Sequence, residues 1–295
     1  MLATVVVAVK NDRRLYRLLE SLLQQTLTRR EFEVIVVENG SAVHSDVASI
    51  CQGLVRYVHL PEPNMAAARE IGLREAKGRY FLLTDADCVA QPDWVEAMAA
   101  ELERKEYAAV GGRIGKLDPR SWTQRYAITV VNGQAELNYL PALAMPYVAG
   151  ANAGFVTSAL RDVGGFDSRF RSGNDVDVCY RLGLAGHRVG LAPQAVVLHE
   201  DRSTISEHFR RFKSYAIYQV LLFVSYRHVS GRRFVINMYP FKRMVRALMS
   251  MPVASVRLLR GDVAPASCAL LQIIEAVAIW CGDIQGSVRY RSLYL

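Results

Sequence analysis

The spacing of hydrophobic and polar positions changes along the chain in a way that separates its elements. Thr4-Val5-Val6-Val7-Ala8-Val9 is an unbroken, mostly β-branched run, which predicts a strand buried on both faces. Leu15, Leu18, Leu19, Leu22 and Leu23 then recur at helical spacing, with Asn11 or Asp12 placed to cap the helix. Phe32 to Val37 predicts a second buried strand, closed by a turn at Glu38-Asn39-Gly40-Ser41. Val55 to Leu60 predicts a short third strand, and Met65 to Ala76 an Ala-rich helix stopped by Gly78. Tyr80 to Thr84 predicts a fourth strand, which ends on Asp85-Ala86-Asp87. This alternation predicts an α/β fold with a mostly parallel central sheet and helices on both faces.

After Asp118-Pro119 the pattern is less regular. Tyr147 to Thr157 reads as strand-like, Asp175 to Leu184 as a helix, and Ala195 to Leu198 as a short strand before His199. From Ser203 the pattern is mainly helical, with Phe209, Phe212, Tyr215, Ala216 and Gln219 tracing one turn-by-turn series. The expected organisation is an α/β half over 1–110, a second half of the same domain over 111–202, and a helical extension over 203–295.

Charge sharpens the contrast between these regions. The net charge of +8 is concentrated after residue 201, where 14 Lys/Arg face 4 Asp/Glu, against 22 and 24 before it. An anionic partner is therefore sought in the C-terminal third. The five cysteines form no CxxC and no metal-ligand spacing, so reduced thiols and a cytoplasmic setting are expected. The start has neither the basic region nor the apolar length of a signal peptide. Val263 to Cys281 is the nearest approach to a spanning segment, but Gln272 and Glu275 interrupt it, so no span is expected there.

Ligands of open α/β sheets bind at the carboxyl ends of strands. Three polar turns fall there: Lys10-Asn11-Asp12, Glu38-Asn39 and Asp85-Ala86-Asp87. Two carboxylates on one extended tip suit a hard divalent cation that shares its remaining positions with phosphate oxygens. Acidic turn residues are also commonly just solvated. A second acidic cluster, Gly173-Asn174-Asp175-Val176-Asp177, opens the predicted helix. Asp175 there reads as a helix cap or as a general base for an acceptor hydroxyl. His199, closing a strand, reads as structural or as a completing metal ligand.

The ordered set runs Asn11; Glu38-Asn39-Gly40-Ser41; Asn64 to Gly72; Gly78-Arg79-Tyr80; Asp85-Ala86-Asp87; Gly150-Ala151-Asn152; Val163-Gly164-Gly165-Phe166-Asp167; Asn174-Asp175-Val176-Asp177; His199. It resembles the family 2 glycosyltransferases of GT-A fold over roughly residues 4 to 225, most diagnostically in "VGGFDSRF" and "NDVDVCYRL". The resemblance implies a hexosyltransferase that uses a nucleotide-diphospho-sugar, UDP-sugars foremost, with Mn²⁺ or Mg²⁺ and inversion at the anomeric carbon. It places Val9, Asn11, Glu38, Arg69, Asp85 and Ala86 at the donor, with Glu38 near the base and Arg69 near the nucleotide. Asp87 and His199 fall at the metal, Asp175 at the catalytic base, and Asn152, Asn174 and Asp177 on the acceptor side. Three positions depart from the family pattern. Glu38 replaces an Asp, Glu70 replaces an Asn, and Asn174 replaces a Glu, which removes a like charge beside Asp175.

Rival readings are a GT-A module that binds nucleotide-sugar without turnover, and a sugar nucleotidyltransferase, for which the first strand lacks a Gly-rich triphosphate loop. No GxGxxG follows any strand, against a dinucleotide oxidoreductase. The arginines form no recognisable nucleic-acid module. The acceptor stays open among small molecules, lipid-linked groups and polysaccharides, and homodimerisation stays open as well. The C-terminal mixture of basic and apolar residues reads first as amphipathic helices packed on the catalytic domain. Its alternative is peripheral contact with anionic membrane at its cytoplasmic face.

Overall fold

The computed structural model describes residues 1–40, 45–51, 55–130, 136–140 and 143–294; Ser41 of the expected turn lies outside them. The chain divides into two compact units. The first comprises 1–115, 133–139 and 145–199, and the second 116–132, 140–144 and 200–295. The segments 116–132 and 140–144 thus cluster with the C-terminal helices, although they lie inside the stretch read as continuous α/β domain.

In the first unit, β1 (Ala3–Val9), β2 (Phe32–Asn39), β3 (Arg56–Leu60) and β4 (Tyr80–Thr84) pair in parallel in the order β3-β2-β1-β4. Beyond β4 the sheet continues through β9 (Asn152–Val156), β6 (Ala109–Lys116), β10 (Val189–His199) and β5 (Cys88–Ala90). There β9 runs antiparallel to β4 and β6, and β10 antiparallel to β5. Between the strands stand α1 (Leu15–Leu23), α2 (Ser45–Cys51), α3 (Met65–Glu75), α4 (Trp94–Glu103), α6 (Thr157–Asp162) and α7 (Asn174–Leu184).

All seven residues of β1 are buried, because both sheet faces are covered. Val5, Val7 and Val9 pack with Leu15, Leu18, Leu22, Trp94 and Met98. Val6 and Ala8 point to the other face, against Ala66, Leu73, Phe81 and Phe166. Gly78 fits here because it has no side chain: a Cβ would lie 2.3 Å from the Ala3 carbonyl carbon.

Some boundaries differ from the expected ones for physical reasons. Asp12 Oδ1 accepts from Arg14 N at 3.0 Å, but α1 starts only at Leu15 and has no side-chain cap. The strand-like stretch from Tyr147 is broken by a turn before β9, and β10 begins at Val189 rather than Ala195. Asn64 caps α3, accepting from Ala66 N and Ala67 N. The cysteines are free, and burial, then the charge of Glu38, push the Cys51 thiol up to about 11.

The second unit contains α5 (Trp122–Val130), α8 (Ile205–Ser230), α9 (Met238–Leu259) and α10 (Ala264–Tyr290); the short strands β7 (Asn138–Leu140) and β8 (Leu143–Tyr147) fall partly within each unit. α10 lies close on α8 through glycines. A Cβ on Gly282 would meet the Ala216 Cβ and the Lys213 carbonyl at 2.5 Å. As a helix, α10 is long and apolar enough to cross a membrane, with a third of its most apolar window buried. Glu275, expected to interrupt such a span, is instead turned inward. It accepts from Tyr126 Oη at 3.1 Å, meets His208 Nε2 at 2.8 Å and pairs with Arg243.

Asp283 of α10 is fully buried, and its Oδ2 accepts from Asn237 Nδ2 at 2.9 Å. Burial pushes this carboxyl up to about 7, the hydrogen bond opposing. The folded protein therefore retains a proton that the unfolded chain releases above its ordinary carboxylate range, so this group's contribution falls as pH rises from about 4 to about 7. Asp283→Asn should raise the urea midpoint at pH 8, by up to a few kcal/mol in stability, and change it less at pH 5. An equal change at both pH values contradicts the assignment.

Candidate active site

The carboxyl ends of β1 and β4 bring acidic and basic groups together. β4 closes into a tight turn in which Cys88 N donates to Asp85 O at 3.0 Å, presenting Asp85-Ala86-Asp87. The antiparallel register of β10 on β5 pairs His199 with Cys88. That register carries His199 Nε2 to 3.4 Å from Asp87 Oδ1. Arg14, just past β1, bridges Asp12 at 2.6 Å and Asp87 at 3.5 Å. Asp87 and His199 are both buried.

Asp85 is more open, with 36% of its side chain exposed, and its Oδ1 lies 3.4 Å from Arg69 Nη2. Arg69 is buried on α3, and its Nη1 donates to Asn174 Oδ1 at 2.8 Å. Gly150 leaves room for this guanidinium, since a Cβ there would meet Nη1 at 2.4 Å. The same glycine's N–H donates to Asp175 Oδ2 at 2.7 Å, and Val176 N to Asp175 Oδ1 at 3.0 Å. Asp85, Arg69 and Asn174 thus form one polar chain, and Asp175, the next residue along α7, is held separately by Gly150 N and Val176 N.

Other expected residues stand elsewhere or are differently engaged. Glu38 is fully buried at the end of β2 and accepts from the Tyr57 hydroxyl. Burial, then that hydrogen bond and charge, hold the Tyr57 hydroxyl well above its usual range. Val9 and Ala86 are buried, whereas Asn11 is exposed and adopts a left-handed φ of 48°. Asn152 is buried: its Oδ1 accepts from Trp94 Nε1 at 2.8 Å, and its amide donates to Arg113 O and Ala195 O. Asn174 turns from Asp175 towards Arg69 and Phe170 O. Asp177 pairs with Arg181 at 2.5 Å, and Arg181 in turn donates to the Val163 and Gly165 carbonyls.

Two contributors escaped the sequence reading. Arg14 was unremarkable there, although its position two residues after Asp12 allows the pair. Glu70, seen only as a departure, accepts from Phe166 N at 2.9 Å and so holds the Gly164-Gly165-Phe166 turn, where Gly165 has φ 63°.

The donor chemistry here fits a hard divalent cation: two carboxylates on one turn, with an imidazole nitrogen beside one of them. Among the described residues, no group of three or more His, Cys, Asp or Glu is placed to hold a metal ion by itself. A divalent cation at this turn would need ligands from outside the protein, as Mg²⁺-type sites commonly do.

Comparison with known proteins bears on the family and the fold. The model for glycosyl transferase family 2 matches residues 4–164. The chain is 34% identical over 218 residues to a pre-mycofactocin glycosyltransferase of Mycobacterium tuberculosis, covering 70% of this chain but 44% of that protein. It therefore spans less than half of that relative's length. Glycosyltransferase AglE of Haloferax volcanii is 24% identical, covering 68% of this chain and 67% of its own. Among solved structures, mannosyltransferase PcManGT of Pyrobaculum calidifontis, in complex with GDP-Man and Mn²⁺, superposes with a TM-score of 0.60 at 18% identity. The match covers 96% of this chain and 86% of that one, and shows a shared fold.

Proposed function

The chain belongs to glycosyl transferase family 2 and has its GT-A fold, and from that premise we propose that it transfers a hexose from a nucleotide-diphospho-sugar to a hydroxyl acceptor, with inversion. The observation that carries this reading is the meeting of the Asp85-Ala86-Asp87 turn with His199 and with Arg69, which in turn holds Asn174 at the start of the helix that carries Asp175. It sets the turn suited to a metal–diphosphate beside the helix whose Asp175 carboxylate is held by two backbone N–H groups. UDP-sugars are the first donors to test, and Mn²⁺ or Mg²⁺ the cofactor.

In this mechanism Asp175 accepts the proton of the acceptor hydroxyl. The freed oxygen forms its bond to the anomeric carbon while the bond from that carbon to the diphosphate oxygen breaks. The diphosphate leaves with the electron pair. A divalent cation, when bound, supplies positive charge against that leaving group, and Asp85 and Asp87 would hold it with His199 alongside. Arg69, held by Asn174, orients Asp85. Gly150 N and Val176 N fix the Asp175 carboxylate, which positions it for an in-line attack.

A second reading, binding of a nucleotide-sugar without turnover, draws on the neutral Asn174 beside Asp175. Both readings require donor binding, so the first experiment is a melting-temperature series with UDP-, GDP- and dTDP-sugars and Mn²⁺. A donor at about a hundred times its Kd should stabilise the protein by ~2.7 kcal/mol, a shift of roughly 5–10 °C. No shift with any of them would remove both readings.

A further inference from the structure

Outside the catalytic unit, the least explained surface is α9. Of its 22 residues only Pro240, Ala247 and Ala254 are buried, a stripe repeating every seven residues. Met238, Val245, Pro252 and Leu259 repeat at the same interval, two positions behind. Two residues are about 200° around a helix, so this second series lies opposite the buried stripe. Phe241, Leu248, Met249 and Val256 flank it, all exposed; Met249 is 75% exposed and Leu259 90%. Soluble proteins rarely leave a continuous apolar face of this kind uncovered.

The charges around that face have one sign. Between 232 and 260 the chain carries Arg232, Arg233, Lys242, Arg243, Arg246, Arg257 and Arg260, and no Asp or Glu. Arg243 turns inward to Glu275 and Tyr126, and Arg257 pairs with Asp262 at 3.2 Å. The others are exposed. By helical spacing, Lys242, Arg246, Arg257 and Arg260 line one border of the apolar face. Of the four acidic residues after 202, Glu275 and Asp283 are buried, while Asp262 offsets Arg257 at this border. At the end of α9, Leu258 joins Trp122, Val263 and Leu270 around an open apolar groove of about 510 Å³.

We propose that α9 is an interfacial helix that docks the protein flat on an anionic lipid bilayer, its apolar face entering the headgroup boundary and its basic border meeting lipid phosphates. Apolar insertion beside a basic flank is the combination that partitions into such surfaces. A protein partner would need an acidic rim around an apolar socket, whereas a phosphatidylglycerol surface supplies both features everywhere. The proposal rests on the helical unit alone and is independent of the sugar-transfer reading.

The test is sedimentation of the full chain with vesicles of phosphatidylcholine, with and without a quarter phosphatidylglycerol. The protein should pellet with anionic vesicles at low salt, release in 0.5 M salt as charges are screened to within about 5 Å, and bind neutral vesicles far less. Lys242→Gln with Arg246→Gln should weaken partition about fivefold per side chain, from the ~1 kcal/mol each contributes at an anionic surface. Met249→Asn with Leu259→Asn, which change no charge, should weaken it at least tenfold. All four sites are exposed, so melting temperature and helical circular dichroism should hold. Equal binding to both vesicles, or unchanged binding by either double variant, overturns the proposal. So does retention in the membrane pellet after alkaline carbonate, which would make α10 a span. A dimer that Met249→Asn with Leu259→Asn dissociates, without vesicle binding, overturns it in favour of a second copy.

Discussion

Asp175→Asn should lower sugar transfer by about 10²- to 10⁴-fold, the usual contribution of a general base, while donor binding stays near that of the unmutated protein. The asymmetry follows from where Asp175 sits. Its two oxygens accept from Gly150 N and Val176 N, whereas the donor-side Asp85 is met by Arg69. An asparagine keeps one acceptor and the size of the side chain, so the cost to stability is about one hydrogen bond, ~1 kcal/mol. A transfer assay read beside a melting curve separates the roles. Collapse of the fold would make the residue structural, and intact turnover would place the base elsewhere. Asp177 is the next carboxylate along the helix, but it is buried and holds Arg181 against the Val163 and Gly165 carbonyls. Its replacement should therefore cost stability first.

Much of the first unit was legible because its signals are local. The valine run of β1 needs no partner to be read as a doubly covered strand, and Asp85-Ala86-Asp87 follows β4 directly. Contacts set by long-range register were not legible. Asp87 and His199 were brought together by the family resemblance alone; the contact itself exists because β10 pairs antiparallel with β5, and nothing near His199 in sequence announces that pairing. The clustering of 116–132 with the C-terminal helices is hidden for the same reason. Asn174 shows a subtler failure. Adjacency in sequence pointed to Asp175, yet consecutive helix residues do not face each other, and its amide serves Arg69 instead. Glu38 matched a family position by order alone, and the structure adds what order could not: full burial against Tyr57.

Asp87→Asn should abolish transfer. Asp87 is buried, closes the β4 turn, and is approached by Arg14 at 3.5 Å and His199 at 3.4 Å. A cation recruited to it brings charge against the leaving diphosphate inside a site of low solvent access, where such charge acts most strongly. Asparagine keeps the turn but gives up the negative charge that would draw the cation from water. The loss should exceed that of Asp175→Asn, because the departing diphosphate then lacks compensation whichever acceptor is used. The most direct measurement is release of nucleoside diphosphate from the donor that stabilises the protein, followed with acceptor in excess chelator and again after Mn²⁺ or Mg²⁺ is restored. Release that stops in chelator, returns with metal and is absent in Asp87→Asn is the predicted result; undiminished release in excess chelator would contradict it.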